Sequence, residues 1–467
     1  MAHVVDLVTN FLTVDLPYFV LVLTLLVFVH EFGHYWVGRR FGIHAEVFSI
    51  GFGPELLGWT DRNGTRWKVS AIPLGGYVKF LGDTDAASAT HDTQALSADQ
   101  SKRAFFTQPL YARAAVVVGG PAANLIFAIL LLTGVFYAAG EPYSPAKVAV
   151  QEDGPAAKAG LKSGDDILRI NGKRVDRFED IQDAQFLYLA RPMSVQYRRG
   201  DKVQTTEIQP QYCERTDKRG NTMRYGELGV DQMIRPVVGG FVANSPAEAA
   251  GLKMGDKLLE IDRQPVDHFT HIPELIGDRA GQPVTIQYER DGHRYTTTVV
   301  PEADKVTDCT GKTKTIGRLR IRPAGVTEFR QHDILGAMGA GARHVWSMTT
   351  MFYTSMAQIV TAVRPVDELG GPLRIAKAAG EASSAGWVGV LQLVIALSVV
   401  LGVFNLLPVP MLDGGHLAMY LYEAVRGRPL GVKAQELALK IGFALVVGLA
   451  LIATRNDIML YVRLFAQ

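Results

Sequence analysis

The sequence predicts an α-helical membrane protein with about four transmembrane helices, a membrane-associated β-hairpin region and an outward-facing domain built from a repeated β-rich unit. Three observations predict this fold class: four long apolar stretches, an Asn-Gly turn between alternating apolar residues, and one sequence unit that occurs twice. The hydrophobic fraction of 48% and the positive mean hydropathy lie above the average for soluble proteins. With 467 residues, the chain is long enough for a membrane part and a separate soluble part.

The four apolar stretches have about the length, some 20 residues, of a helix that crosses a hydrocarbon core. They comprise residues 16–37, 114–139, 387–407 and 441–453 with its flanks, the last being the shortest. The residues before the first stretch include Asp6 and Asp15 but no Lys or Arg, and no small-residue cleavage site follows the stretch. We therefore expect a retained helix here and not a signal peptide.

Basic residues next to these stretches predict the orientation, because loops rich in Lys and Arg remain cytoplasmic. They lie after the first stretch, before the second, and between the third and fourth: Arg39, Arg40, Lys102, Arg103, Arg113, Arg426, Arg428 and Lys433. The N-terminus and residues 141–386 are then expected on the outer side, which in a bacterium is the periplasm. The sequence thus predicts a multi-pass protein of the bacterial inner membrane.

Net charge and cysteine content exclude several kinds of partner and site. The net charge of +2 and the scattered Lys and Arg argue against a nucleic-acid partner. Cys213 and Cys309 are the only cysteines, which is too few for a cysteine zinc site or a disulfide scaffold. The two are expected either to form one disulfide, if they face an oxidising compartment, or to be unlinked thiols.

A motif typical of zinc hydrolases ends the first apolar stretch, with His30, Glu31 and His34 in the pattern HExxH. On a helix, a spacing of four places both imidazoles on one face, where they can share a metal ion with Glu31 beside its bound water. Zinc lowers the pKa of that water, and the glutamate takes its proton and delivers it to the leaving amine. The alternative is a polar helix end at the membrane surface, but these residues are costly in an apolar segment unless they bind metal or line a polar cavity.

The third protein ligand is predicted far along the chain, in residues 405–416 with the sequence NLLPVPMLDGGH. Prolines and glycines interrupt the third apolar stretch beside Asp413, and irregular backbone at membrane depth is tolerated only where it is buried in protein or lines a cavity. Glu46 and Glu55 are poorer candidates, since glycines and a proline interrupt any helix that could present them. Two histidines and Asp413 would leave a fourth position open for water, as in catalytic zinc sites.

Two further polar residues of this segment are candidates for other roles. Asn405 is an amide in an apolar helix, and we expect it to bind the substrate, either its backbone or the developing oxyanion. The alternative for Asn405 is a hydrogen bond between helices. His416 is an additional candidate ligand, but we expect it behind the ligands or at the cytoplasmic end, because the three ligands already satisfy a catalytic zinc.

Together these motifs resemble the site-2 protease family of intramembrane zinc metalloproteases. The likeness extends over essentially the whole chain: HExxH in the first helix, NxxPxPxLDGG in the third, GPAAN at residues 120–124 and GGP at residues 370–372. The resemblance implies an intramembrane zinc metalloendopeptidase with Zn²⁺ as its cofactor. It also implies that His30, His34 and Asp413 are the zinc ligands and that Glu31 is the general acid and base.

The resemblance further implies regulated intramembrane proteolysis. The expected substrates are single-pass membrane proteins, such as an anti-sigma factor after a first periplasmic cut, whose destruction releases a sigma factor, or remnant signal peptides. Membrane lipid is the other expected partner. Two alternatives are a membrane-tethered scaffold without catalysis, which the intact Glu31 disfavours, and a zinc transporter or zinc-binding membrane protein. A transporter would need polar residues through several helices, and the second and fourth stretches lack them apart from Asn124.

Between the first two apolar stretches, residues 48–80 alternate around Asn63-Gly64, which predicts a β-hairpin. In the family this region dips into the membrane, and its edge strand pairs with an unwound substrate; an ordinary cytoplasmic hairpin is the alternative. The polar residues 83–100 that follow are predicted to be mobile.

The outward segment contains the same unit twice, at residues 155–170 and 246–261, 91 positions apart. The unit resembles the PDZ fold, whose members add an extended peptide to a sheet edge, so we expect two tandem PDZ-like domains that sense or filter substrates; a structural cover is the alternative. The predicted division is 1–140 with the first two helices, 141–232 and 233–322 as the PDZ-like domains, 323–386 as an amphipathic connector, and 387–467 with the last two helices.

Overall fold

The computed structural model describes residues 9–83, 97–216, 222–307, 309, 312–325 and 328–466. The chain forms two compact units. The membrane unit contains the residues up to Ala139 and those from His332 onward, and the repeat unit contains Gly140–Gln331. Most of the segment 83–100, which was predicted to be mobile, lies outside the described residues.

Twelve α-helices occur in the described residues, and the long ones lie in the membrane unit. In chain order they are α1 Leu16–Arg40, α2 Ala98–Ser101, α3 Leu110–Ala138, α4 Pro155–Lys158, α5 Phe178–Tyr188, α6 Pro246–Ala249, α7 Ile272–Ile276, α8 Ile334–Val360, α9 Pro372–Ser384, α10 Trp387–Asn405, α11 Asp413–Arg426 and α12 Val432–Ala466. A π-helical turn, Phe11–Asp15, precedes α1, and 3-10 turns occur at Phe269–His271, Gly277–Arg279 and Val366–Glu368.

Twenty β-strands occur in the described residues, and all except the first two lie in the repeat unit. They are β1 Ala45–Thr60, β2 Arg66–Phe80, β3 Glu141–Tyr143, β4 Val148–Val150, β5 Asp166–Ile170, β6 Lys173–Arg174, β7 Met193–Arg199, β8 Lys202–Ile208, β9 Gln211–Thr216, β10 Thr222–Glu227, β11 Val230–Gln232, β12 Val238–Phe241, β13 Lys257–Ile261, β14 Gln264–Pro265, β15 Val284–Arg290, β16 His293–Val299, β17 Glu302–Thr307, β18 Thr313–Arg318, β19 Ile321–Pro323 and β20 Glu328–Arg330.

Four helices of the membrane unit are long and apolar enough to cross a membrane, judged on the described residues. They span Phe11–Arg40, Leu110–Ala138, Trp387–Asn405 and Val432–Leu460. All four predicted stretches are therefore apolar helices. The prediction for the last stretch was too short, because polar residues such as Asn456 and Asp457 lie inside the helix and obscured its true length in the sequence.

Asn456 and Asp457 hold the segment that leads into α9. The fully buried Asp457 carboxylate accepts hydrogen bonds from the backbone N–H groups of Gly371 and Arg374, both at 3.0 Å. Asn456 Nδ2 donates to the carbonyl of Val366 at 2.8 Å. A carboxylate is stabilised by the N-terminus of a helix, so these polar residues of α12 anchor the start of α9. This gives the GGP motif a structural role.

Part of the predicted amphipathic connector forms α8, which packs against α3. Its small residues Ala337, Ala340 and Gly341 are buried in a cluster with Leu132 of α3. A Cβ atom on Gly341 would lie 3.2 Å from the Ile129 carbonyl oxygen, so the two helices are in close contact. One face of the amphipathic helix α8 therefore packs against α3, and the opposite face is exposed.

Strands β1 and β2 form the predicted hairpin around residues 61–65, where the carboxylate of Asp61 accepts hydrogen bonds from the backbone N–H groups of Asn63 and Thr65. Burial has the largest single effect and raises the pKa of Asp61, but the hydrogen bond from Trp67 Nε1, together with those from the two backbone N–H groups, holds this pKa below its ordinary value. The hairpin bends back on itself, so that Phe48 pairs with both Trp67 and Val78. Phe48 and Val78 are packed in the core, whereas the bent middle of the hairpin is exposed, as at Leu56 and Ile72.

In the repeat unit the same arrangement occurs twice, 91 residues apart. The strand orders of the two four-stranded sheets correspond, β6-β5-β7-β8 and β14-β13-β15-β16. Arg199 donates hydrogen bonds to Asp165, and Arg290 donates them to Asp256. These bonds raise the pKa of both guanidinium groups. Each aspartate also accepts from the backbone N–H three residues earlier, which closes the turn before the first sheet strand of each copy.

A disulfide bond links the two halves of the repeat unit. Cys213 lies in β9 and Cys309 lies between β17 and β18, with Cα atoms 4.6 Å apart. Of the two alternatives left by the sequence, the structure therefore has the disulfide. The two cysteines are 96 positions apart in the chain and belong to different copies of the repeated unit.

Candidate active site

Three side chains of types that can bind a metal ion meet where α1 lies against the beginning of α11. His30 and His34 occupy one face of α1, with ring centroids 4.8 Å apart. Asp413, the first residue of α11, places Oδ2 3.2 Å from His30 Nε2 and 3.6 Å from His34 Nε2. The two Nε2 atoms are 3.2 Å apart. Across the described residues, these side chains form the one group of three that could hold a metal ion.

These distances fit a tetrahedral zinc ion. Bonds of about 2.0–2.1 Å place the ligand atoms of such an ion about 3.3–3.4 Å apart, which is close to all three observed separations. Asp413 Oδ2 is buried, and it has no hydrogen-bond partner in the part of the chain that the structure describes. A buried acceptor without a donor is costly unless a cation neutralises it. The donor set of two imidazoles and one carboxylate therefore fits zinc.

A hydrogen bond to the backbone of α3 fixes the orientation of the His34 imidazole. Its Nδ1 atom lies 2.8 Å from the Val116 carbonyl oxygen. Because a carbonyl can only accept, Nδ1 carries the proton and Nε2 presents its lone pair to Asp413 and His30. This is the tautomer that a zinc ligand requires.

Glycines let α1 and α3 approach closely enough for this contact. A Cβ atom on Gly33, between the two histidines, would lie 2.2 Å from the Gly119 carbonyl oxygen. A Cβ atom on Gly120 would lie 2.3 Å from His34 Nε2 and 2.9 Å from His30 Cε1. The glycines ahead of Pro121 thus provide the space that the imidazoles occupy.

The loop before Asp413 is shaped by the residues that interrupt the helix. A Cβ atom on Gly414 would lie 2.3 Å from the Leu407 carbonyl oxygen, and one on Gly415 would lie 2.3 Å from that of Val409. Met411 has a φ of 91°, an unfavourable conformation for a residue with a side chain. The loop therefore turns back tightly onto the end of α10 and directs Asp413 towards α1.

Glu31 lies in the same cavity as the metal-binding group. The cavity has a volume of about 330 Å³ and is lined by residues of α1, β2 and α11, together with Asn405 at the end of α10. Tyr77 and Val78 of β2 line the cavity together with Glu31. A Cβ atom on Gly76 would lie 3.2 Å from Glu31 Cγ, so β2 passes directly beside this carboxylate.

Asn405 and His416 also line this cavity. The Asn405 amide donates from Nδ2 to the Leu401 carbonyl of its own helix at 3.1 Å, which leaves its second N–H and its oxygen for other contacts. His416 lies one helical turn after Asp413 and is not part of the group of three ligand side chains. The structure therefore brings together His30, Glu31, His34, Asp413 and Asn405.

Sequence analysis missed the contribution of α3. The Val116 carbonyl, the close contact at Gly119 and Gly120, and an ion pair from Arg113 to Glu423 of α11 at 2.6 Å all lie on this helix. The run of small residues around GPAAN was the available signal, since small residues mark close helix contacts in membranes. A backbone carbonyl leaves no mark in a sequence.

Comparison with known proteins gives the family. The sequence profile of peptidase family M50 matches residues 18–449. The chain belongs to peptidase family M50, the site-2 proteases. Membership confirms the resemblance inferred from the motifs. The chain is accordingly a metalloprotease, and its cofactor is zinc.

Members of this family resemble the chain over almost its full length. A protein of Agrobacterium fabrum, provisionally named zinc metalloprotease Atu1380, is 36% identical over 96% of this chain and 97% of its own. The regulator of sigma-E protease RseP of Escherichia coli is 31% identical, with coverages of 95% and 98%. RseP of Salmonella typhimurium is 30% identical, with the same coverages. A PDZ domain from an SdrC-like protein of Listeria monocytogenes matches 20% of this chain and 87% of its own, with 23% identity and a TM-score of 0.15.

The substitution Gly120→Ala tests the role of α3 in this site. We expect its methyl group to displace the His34 imidazole and to lower protease activity on the order of 100-fold, since a misplacement of about 1 Å has effects of that size. The matched control is Gly134→Ala on the same helix, where a Cβ atom meets nothing within 4 Å. Activity and bound zinc are measured on both purified variants. Equal activity of the two would contradict the packing described here.

Proposed function

We propose that this site-2 protease hydrolyses peptide bonds within the transmembrane segments of single-pass membrane proteins, with His30, His34 and Asp413 as zinc ligands and Glu31 as the general base. The observation that carries the proposal is the meeting of three ligand atoms within 3.6 Å beside Glu31, on helices apolar enough to cross a membrane. Ionisable side chains within membrane-spanning segments are energetically costly, and their presence indicates a functional site.

The residues around the cavity have separate roles in the proposed hydrolysis. Zinc, when bound, supplies a water of lowered pKa and polarises the scissile carbonyl. Glu31 accepts the proton of the attacking water and returns it to the leaving amine. Asn405, whose second amide N–H has no partner among the described residues, donates a hydrogen bond to the substrate backbone or to the oxygen that gains negative charge. The closeness of Asn405 to the other groups supports this role.

Strand β2 is the proposed platform for the substrate. Proteolysis needs an extended peptide, and Gly76, Tyr77 and Val78 line the cavity beside Glu31. A substrate segment that unwinds into the cavity can add to β2 as a further strand. The bent part of the hairpin exposes large apolar side chains, which favours contact with membrane lipid: Phe52, Leu56, Leu57, Trp59 and Ile72.

The repeat unit is proposed to face the periplasm. The basic residues at the cytoplasmic ends of the membrane helices support this orientation. The disulfide between Cys213 and Cys309 supports it independently, because disulfides form and persist in oxidising compartments such as the bacterial periplasm. The metal-binding group would then lie within the membrane near the cytoplasmic face.

The two halves of the repeat unit are proposed to act as tandem PDZ-like domains that control access. In the second copy, α7 and the segment from Ile316 to β19 border a groove of about 400 Å³. Its lining is apolar at Ile272, Ile276 and Leu319, which suits the side chains of an extended peptide, while Arg318 is ion-paired with Asp304 at 2.9 Å. Such domains would admit substrates whose outer part has already been removed.

The proposed substrates are an anti-sigma factor after a first periplasmic cut, whose loss releases a sigma factor, and remnant signal peptides. Relatives that carry the name regulator of sigma-E protease support the first of these. A membrane-tethered scaffold and a zinc-binding membrane protein without protease activity are the alternative functions, and both predict that Glu31 is dispensable.

The substitution Glu31→Gln tests the proposal. We expect the reconstituted variant to retain bound zinc and to lose cleavage of a single-pass substrate that lacks its periplasmic domain, since general base catalysis contributes about 10²–10⁴-fold. The matched control is Glu436→Gln, which removes the same charge at an exposed position of α12. Wild type is also assayed on the intact substrate, which we expect it to cut poorly.

Each arm of this experiment has a contradicting result. Cleavage by Glu31→Gln at the rate of Glu436→Gln would exclude Glu31 as the base. Equal cleavage of the intact and trimmed substrates by wild type would exclude the proposed filter while leaving the active site in place.

The orientation is tested separately through the disulfide. In intact cells we expect Cys213 and Cys309 to resist maleimide labelling until a reductant is added. The double variant Cys213→Ser/Cys309→Ser serves as the control for labelling of other groups. Free thiols in protein taken directly from cells would contradict a periplasmic repeat unit.

A further inference from the structure

Asn124, in the GPAAN sequence of α3, lies behind His30. The residue is fully buried, and its Nδ2 atom lies 3.3 Å from His30 Nδ1. Its Oδ1 atom is also buried and has no hydrogen-bond partner among the described residues. A buried amide with an unpaired oxygen beside a metal-binding histidine requires a physical explanation.

The protonation of a zinc-bound histidine supplies this explanation. A neutral imidazole that offers Nε2 to a metal carries its proton on Nδ1, which is then a donor. The atom that faces it must be an acceptor, and the amide nitrogen of Asn124 cannot accept. The oxygen and nitrogen of an amide are nearly equivalent in shape, so a half-turn of the side chain exchanges them without disturbing the packing.

We propose that Asn124 Oδ1 accepts a hydrogen bond from His30 Nδ1 and that Asn124 is thereby a positioning residue for the zinc site. The half-turn gives His30 its acceptor and pairs the buried oxygen in one step. The inference rests on His30 being a zinc ligand, as proposed above. Both histidines are then oriented by α3, His34 through the Val116 carbonyl and His30 through Asn124.

The surroundings of Asn124 hold it in place for this role. The Ser398 hydroxyl of α10 donates to the Asn124 backbone carbonyl at 2.8 Å. A Cβ atom on Gly402 would lie 3.3 Å from Asn124 Cβ, so α10 packs closely against the residue. Asn124 therefore links the helix that carries His30 with the helix that leads to Asn405 and Asp413.

The test compares Asn124→Ala, which removes the acceptor, with Asn124→Asp, which retains one. We expect Asn124→Ala to lower zinc affinity about 10- to 100-fold, the usual effect of losing the partner of a metal-bound histidine. Asn124→Asp should bind zinc as tightly as wild type. Affinity is measured by competition with a chelator on the full chain in detergent. At saturating zinc, we expect Asn124→Ala to lower kcat with KM unchanged.

Thr133→Ala is the matched control, since Thr133 is a buried polar residue of α3 whose hydroxyl donates to the Ile129 carbonyl at 2.7 Å. Thermal unfolding of the metal-free proteins shows whether each variant is folded. Zinc affinity of Asn124→Ala equal to that of Thr133→Ala would overturn the inference. Equal losses for Asn124→Ala and Asn124→Asp would also overturn it, because the residue would then act through packing alone.

His30→Ala separates this inference from the proposal on which it rests. If His30→Ala binds zinc as tightly as wild type, the ligand assignment is wrong and the positioning role is wrong with it. If His30→Ala loses zinc while Asn124→Ala retains it, the ligand assignment stands and only the role of Asn124 is wrong.

Discussion

The convergence of His30, His34 and Asp413 in an apolar environment is the constraint on which the rest of the membrane unit depends. Three ligand atoms within 3.6 Å of one another can be buried only if a cation neutralises them and each side chain is held in its metal-binding orientation. Helix α1 supplies two of the proposed ligands, His30 and His34, through their four-residue spacing. The third comes from a distant segment, so the helices must pack with little tolerance.

Helix α3 meets this requirement because its small residues allow close contact. Gly119 and Gly120 have no side chains that would collide with α1, so the Val116 carbonyl lies within hydrogen-bond distance of His34. Non-helical backbone on the other side of the site turns Asp413 inward, at the cost of an unfavourable φ at Met411. Residues of β2 line the same cavity, so the proposed binding strand for an extended peptide is adjacent to Glu31 and the proposed zinc ligands.

The sequence predicted much of this arrangement, because apolar length, HExxH spacing and a broken helix beside Asp413 are local patterns with direct physical meaning. It failed where the signal was not local. The predicted fourth stretch was too short at its end because Asp457 interrupts the apolar run. The reason for this aspartate, its hydrogen bonds to the start of α9, is not visible in the sequence. The sequence left it undecided whether the two cysteines form a disulfide, because a separation of 96 positions in the chain does not reveal their distance in space. The partner of His34 is a carbonyl that every residue possesses.

The most direct test of the central claim is X-ray absorption at the zinc edge on the purified full chain, for wild type and for His30→Ala. We expect two imidazoles and oxygen ligands at about 2.0–2.1 Å in wild type, and one imidazole in the variant. A sulfur ligand at about 2.3 Å, or a spectrum unchanged by His30→Ala, would contradict the site built from His30, His34 and Asp413.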